Sequence, residues 1–320
     1  MQKNRLSFIL ASLFIASCSQ LGIETLAKTD EARSGESKPA VETGEVSQEP
    51  KIERPRIEVL HPKDSIIHNG HVRYFEFKTV ALNQEFELFC QGVKIPYGQK
   101  GDGIYFAYLA QNYFLEKGQM DCQIKIPGKK KDLLSLNIKP YGYKEEHLQV
   151  SSKHVTLSSE DQQRANREAV LLEKIYSVTQ PRPLYDSEFA LPIDSFRTSI
   201  YGNRRVFNNV KKTQHLGNDF RAAIGVEIPA SNKGIVVLAQ DLFYSGKTVI
   251  IDHGIGIFTM YGHLSQIDVT EGQQVEKKEV IGLSGDTGRV SGPHLHWGVK
   301  VQGHWVDGMT LIQESQKQFL

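Results

Sequence analysis

The sequence predicts a mainly β protein: a small N-terminal β-sandwich of immunoglobulin-like type, a connecting helix, and a C-terminal antiparallel β domain. Three observations predict it. Short runs of alternating apolar and polar residues fill Ile57 to about Tyr143, one stretch with helical spacing follows, and beyond Phe189 strand-length apolar runs alternate with Gly-rich turns. The chain has 320 residues, room for one or two domains plus tails. The expected division is 1–17 signal peptide, 18–56 linker, 57–146 sandwich, 157–178 helix and 186–312 C-terminal domain. The formal charge of +1 lacks the basic excess of a nucleic-acid binder, so no nucleic-acid partner is expected.

Taken in order, Lys3 and Arg5 precede a mostly apolar stretch from Leu6 to Ala16. That is shorter than the about 20 residues a membrane span needs, and it has the layout of a signal peptide. It ends in Ile15-Ala16-Ser17-Cys18, which resembles a bacterial lipobox with Cys18 as the lipidated residue. The expectation is a cell-envelope lipoprotein, attached to a membrane through that lipid. With Ser19 after the cysteine, a Gram-negative host would place it in the outer membrane, facing the periplasm. Residues 19–56 are rich in Glu, Lys, Ser, Thr, Pro and Gly and lack aromatics. Such a segment cannot bury enough apolar surface to offset its chain entropy, so it is expected to be a disordered tether.

In the sandwich region, Val72 to Phe77, Phe86 to Cys90 and Cys122 to Ile126 show period-two alternation rich in β-branched and aromatic residues. Tyr97 to Gly103 supplies a turn. If Cys18 carries lipid, Cys90 and Cys122 are the remaining thiols, and in an oxidising envelope such a pair is expected to be a structural disulfide. No catalytic constellation lies here, and a binding or spacing role is the default. Next, Ser159 and Gln162 read as a capping box, with Ala165, Ala169, Leu172 and Tyr176 at helical spacing before Pro181 and Pro183. Beyond Phe189, Gly234–Ala239 and Thr248–Asp252 read as strands, and no long helical pattern is visible to the C-terminus.

This last region holds the residues with chemistry. His294 and His296 lie in Gly-Pro-His-Leu-His-Trp-Gly. On a strand, residues two apart share a face, about 7 Å apart, so one imidazole could bind metal while the other handles protons. Leu295 and Trp297 would then face the core. His215 and Asp219 flank Gly217 and Asn218, which disfavour a helix, and an extended segment also places both on one side. Two imidazoles and a carboxylate suit zinc, and three protein ligands leave a fourth position open, the mark of a catalytic site. A second imidazole pair, His263 and His294, could accept a water proton and steady a developing oxyanion. His253 and His304 read as bystanders.

Together these motifs make the region from about Phe189 to Leu311 resemble peptidase family M23, the lysostaphin/LytM-type zinc endopeptidases. The family's His-x-Gly-x-Asp stands at His215 to Asp219, its Tyr-x-His-Leu-Ser at Tyr261 to Ser265, and its Gly-Pro-His-Leu-His at Gly292 to His296. Ser199 to Arg204 and Gly285 to Gly288 are similar as well. The resemblance implies one Zn2+ per chain on His215, Asp219 and His296, with His263 and His294 as the catalytic pair. It implies an antiparallel β fold with the site in a groove between loops, and peptidoglycan peptides as substrate. A monomer is expected. Some lysostaphin-like members carry a Tyr upstream of the first ligand; here Phe207-Asn208-Asn209 stands instead, leaving Asn208 or Asn209 as the substitute. The alternatives are a non-catalytic lipoprotein of the same fold that activates a separate cell-wall amidase, and a lipoprotein that only binds the wall through its sandwich.

Overall fold

The computed structural model describes residues 56–62, 64–80, 85–148, 157–207 and 211–320. The signal segment, Cys18, the linker up to residue 55, and Asn208 and Asn209 lie outside the described residues. Among the described residues, no helix is long and apolar enough to cross a membrane.

The N-terminal half builds two sheets from nine strands: β1 (Arg56–His61), β2 (Ile66–His68), β3 (Val72–Val80), β4 (Glu87–Cys90), β5 (Val93–Ile95), β6 (Gly98–Gly101), β7 (Ile104–Ala110), β8 (Gly118–Ile126) and β9 (Lys129–Lys139). One sheet has the order β1-β3-β7-β6, the other β2-β9-β8-β4-β5. Pairing is antiparallel except between β2 and β9. Alternation decides what lies between them: Phe75, Phe77, Ala107 and Leu109 from the first sheet meet Leu88, Met120, Ile124 and Leu136 from the second in one core. Cys90 and Cys122 are bonded, and they stand opposite each other on β4 and β8. The bridge therefore ties neighbours within one sheet, unlike the sheet-to-sheet disulfide of antibody domains.

The other face of the first sheet is also buried. Val72 and Tyr74 of β3 and Phe106, Tyr108 and Ala110 of β7 enter the C-terminal core, alongside Tyr185, Phe189 and Trp297. Each large apolar side chain among them contributes about 1.5–3 kcal/mol, so the sandwich is docked on its neighbour by a shared apolar layer.

The chain then runs through β10 (Glu145–Leu148) and α1 (Ser159–Tyr176). The capping residue of α1 is Ser158, whose side chain accepts from the Asp161 backbone N–H, one position before the expected box. Gln162 instead bonds Asn166 one turn on, so Ser159 and Gln162 form no box. Leu172, Ile175 and Tyr176 pack against Leu238, Phe258 and Met260 of the C-terminal domain.

That domain contains β11 (Arg197–Ser199), β12 (Arg204–Phe207), β13 (Lys211–Gln214), β14 (Asn218–Arg221), β15 (Glu227–Pro229), β16 (Gly234–Leu242), β17 (Gly246–Asp252), β18 (Ile257–Ile267), β19 (Gln274–Val275), β20 (Val280–Ser284), β21 (His294–Val301) and β22 (His304–Val306). Its main sheet has the order β11-β14-β21-β18-β17-β16-β19, antiparallel throughout. A separate small sheet joins β10 to the β12–β13 hairpin.

The chain closes with a helix that the sequence pattern did not reveal, α2 (Gly308–Phe319), capped by the Asp307 side chain. Beyond Leu311, its buried positions are the polar Glu314, Ser315 and Gln318, so the apolar period is missing. Their partners come from elsewhere in the fold. Glu314 accepts from the Tyr74 backbone N–H, Gln318 from the Tyr108 hydroxyl and Ser315 from the Phe189 N–H. Thr310 accepts from the Val72 N–H. Because β1 pairs only with Glu76 to Val80, α2 covers the remaining edge of β3.

Candidate metal centre

The strand registers bring the chemistry together. Asp219 of β14 stands opposite His296 of β21, and Arg221 opposite His294. Alternation then sends Phe220, Leu295 and Trp297 into the core and leaves Asp219, His294 and His296 on the open face. His215, just before β14, completes the group.

His296 Nδ1 lies 2.8 Å from Asp219 Oδ1, His215 Nε2 lies 3.0 Å from the same oxygen, and the two ring nitrogens are 3.3 Å apart. Donor atoms of a tetrahedral zinc with bonds of about 2.0–2.1 Å stand about 3.3 Å from one another. The His-Asp-His set therefore fits such an ion with small adjustment, and among the described residues it is the one cluster with that convergence. His215 Nδ1 donates to the Ile200 carbonyl at 3.0 Å, with the Ser199 hydroxyl at 3.2 Å. A carbonyl can only accept, so the proton sits on Nδ1 and the Nε2 lone pair faces the site.

Glycine makes room for the ring of His296. A Cβ on Gly217 would stand 2.5 Å from His296 Cε1, 2.7 Å from its Nε2 and 2.8 Å from the Trp297 carbonyl. Asn218 braces the turn from behind: its amide donates to Asp307 and its carbonyl accepts from the Tyr201 N–H.

The catalytic candidates complete the face. The rings of His263 and His294 are 4.8 Å apart, and His294 Nε2 is 3.7 Å from Asp219 Oδ1. His294 Nδ1 meets the Gly292 carbonyl and His263 Nδ1 the Thr287 carbonyl, each at 2.9 Å. By the same donor logic, the Nδ1–H tautomer of each ring leaves Nε2 turned to the site. His263 lies on a bulge of β18, where Thr248 alone spans Gly262 and His263 across the ladder, and it has φ of 63°. A non-glycine residue in that region is rare, and bulges re-aim side chains.

Burial pushes the His263 imidazole down to about 4, reinforced by the nearby His296. It stays neutral near pH 7, as a base must. Burial would push the Asp219 carboxyl up, but the two imidazoles of His215 and His296 beside it outweigh that and hold the carboxyl well below the usual range. His253 is elsewhere: its nitrogens are satisfied by the Lys233 carbonyl and the Thr259 hydroxyl, inside the core. His304, on β22, belongs to no metal-binding cluster among the described residues. All five sequence-derived site residues thus share one face. Three supporting roles were not read from sequence, although the motifs contain the residues: Gly217 making room behind His296, and the Ile200 and Thr287 carbonyls holding imidazoles. They act through backbone or through absent side chains.

Residues 213–308 match the family model of Peptidase family M23. The C-terminal domain belongs to peptidase family M23. It is 43% identical over 121 residues to the peptidoglycan DD-endopeptidase ShyA of Vibrio cholerae, covering 37% of this chain and 28% of ShyA. It is also 37% identical over 97 residues to the DD-carboxypeptidase/endopeptidase Mpg of Neisseria meningitidis, 30% of this chain and 22% of that protein. The matched stretch is thus about a quarter of the length of these relatives. A crystal structure of a Pseudomonas aeruginosa protein described as a candidate M23 peptidase superposes with a TM-score of 0.60 at 26% identity. It covers 78% of this chain and 96% of that one, so the likeness runs beyond the M23 domain into the sandwich.

Proposed function

We propose that the protein is a zinc metalloendopeptidase that hydrolyses peptide bonds in the stem-peptide cross-links of bacterial peptidoglycan. The observation that carries the reading is the convergence of His215, Asp219 and His296 beside two further imidazoles, His263 and His294, on one open face. The DD-endopeptidase names of the M23 relatives support the substrate class. A zinc ion held by the three ligands would supply Lewis acidity to the attacking water and the scissile carbonyl.

The remaining work belongs to the chain. His263 and His294 each hold Nδ1–H on a backbone carbonyl, so Nε2 of each is available over the ligand face. One can take the proton of the attacking water on that nitrogen and return it to the leaving amine; the other steadies the charge growing on the carbonyl oxygen when its own Nε2 carries a proton to donate. Their 4.8 Å ring separation lets both act around one tetrahedral centre. The reading includes an envelope setting with a lipid on Cys18, supported by the Ile15-Ala16-Ser17-Cys18 segment and the Cys90–Cys122 bridge.

The test is mass analysis of muropeptides released from purified peptidoglycan, alongside zinc content. The wild type should bind one zinc and open cross-links. His215→Ala and Asp219→Ala should lose zinc, whereas His294→Ala should keep zinc and lose turnover. A protein that binds no zinc, as the amidase-activating alternative requires, would overturn the reading. So would a His294→Ala variant that cleaves at the wild-type rate.

A further inference from the structure

Thr287 lies outside the five-residue site, yet three hydrogen bonds from two neighbouring strands, β17 and β18, meet on it. Its carbonyl accepts from His263 Nδ1 at 2.9 Å. Its hydroxyl accepts from the Lys247 backbone N–H at 2.9 Å and donates to the Leu264 carbonyl at 2.7 Å. Lys247 follows the turn between β16 and β17, and Leu264 follows His263 itself. The same side chain that ties those two strands thereby sets where its own carbonyl stands.

The surroundings leave this loop no other position. Gly246 has φ of 61°, and a Cβ there would meet Thr287 backbone and hydroxyl atoms at 2.3–2.5 Å. Gly288 has φ of 79°, and a Cβ there would meet the Gly246 nitrogen at 2.3 Å and the Tyr244 carbonyl at 2.7 Å. The contact is backbone against backbone, closed on its far side by Arg289 N–H donating to the Tyr244 carbonyl. The same turn holds His263 from its other end, because the His263 N–H donates to the Ser245 carbonyl at 2.7 Å. A left-handed histidine on a bulge persists only where its surroundings over-determine it.

We propose that Thr287 is a positioning residue for the M23 reaction: through its carbonyl it fixes the tautomer and aim of His263, and through its hydroxyl it locks that carbonyl between the β16–β17 turn and β18. The proposal rests on the peptidase reading for its kinetic consequence but not for its structural one. In the wild type, Nδ1 of His263 carries the proton and Nε2 is bare. Thr287→Val keeps the volume and removes both hydroxyl hydrogen bonds, leaving the Lys247 N–H and the Leu264 carbonyl without that partner. Thr287→Ser keeps the hydroxyl.

The experiment uses the full zinc-loaded chain, with 15N-histidine NMR beside steady-state cleavage of a soluble cross-linked muropeptide. Thr287→Val should lower kcat by about 10- to 100-fold, the cost of a misaimed catalytic group. KM should stay within about twofold and zinc content should not change, since no ligand is disturbed. The Nδ1–H signal of His263 should exchange with water about tenfold faster or more in that variant, as a local opening allows. Thr287→Ser should recover kcat to within about threefold of wild type. The proposal fails if Thr287→Val keeps wild-type kcat, if Thr287→Ser is as impaired as Thr287→Val, or if zinc content falls in step with kcat. It fails independently of any variant if wild-type His263 carries its proton on Nε2. A wild-type protein with the expected tautomer but no hydrolysis would count against the peptidase reading and not against this one.

Discussion

Replacing Gly217 by alanine tests whether His296 is held in place from behind. The added Cβ would press on His296 Cε1 at 2.5 Å and on the Trp297 carbonyl at 2.8 Å. The carbonyl cannot yield, because Trp297 is fully buried and its strand is paired to Asn218 on one side and Tyr261 on the other. The imidazole must therefore move, and it carries a ligand nitrogen. Disturbing the support of a metal-bound histidine typically costs 10–100-fold in affinity, about 1.4–2.7 kcal/mol. Overpacking should also lower stability by about 1–3 kcal/mol. The assay is zinc affinity by competition with a chelator, with urea unfolding of the metal-free protein alongside. Gly292→Ala is the control, since a Cβ there meets nothing within 4 Å. If Gly217→Ala binds zinc as tightly as that control, the steric account is wrong.

Three further expectations concern the scaffold. Glu314→Ala should destabilise the protein by about 2–3 kcal/mol in urea unfolding, because the Tyr74 N–H loses a charged acceptor and Arg73 a partner; a change under 0.5 kcal/mol would contradict the docking role of α2. Removing the disulfide by Cys90→Ser and Cys122→Ser should cost about 3–4 kcal/mol for a loop spanning 32 residues, read by thermal unfolding with and without reductant. Burial pushes His253 down to about 4. Between pH 6.5 and 4 the unfolded chain therefore binds a proton there that the folded chain refuses. Stability should fall on acidification through that window by up to about 1.4 kcal/mol per pH unit from this residue. A His253→Gln variant with the same pH dependence would show that the loss arises elsewhere.

The site was legible because its residues are short-range signals. His-x-His on a strand states its shared face by alternation alone, and β14 and β21 realise it through the pairing of Asp219 with His296, while His215 stands before β14 and reaches the same face across the bend at Gly217. The two-sheet sandwich was legible for the same reason. The capping residue of α1 was misplaced by one because Ser158 and Ser159 are chemically equal caps, and only backbone geometry chooses between them.

What the sequence by itself determined was the set of groups able to bind metal and move protons, together with the local periodicity that displays them. What only the tertiary structure decided was the support. Helix α2 hid because its inward positions are Glu314, Ser315 and Gln318, which can be buried only where another element supplies matching hydrogen bonds. Likewise the left-handed turn of His263 and the space left by Gly217 depend on contacts between residues far apart in the chain. A pattern along the chain reports which side chains share a surface; it cannot report which distant backbone atoms will be there to hold them.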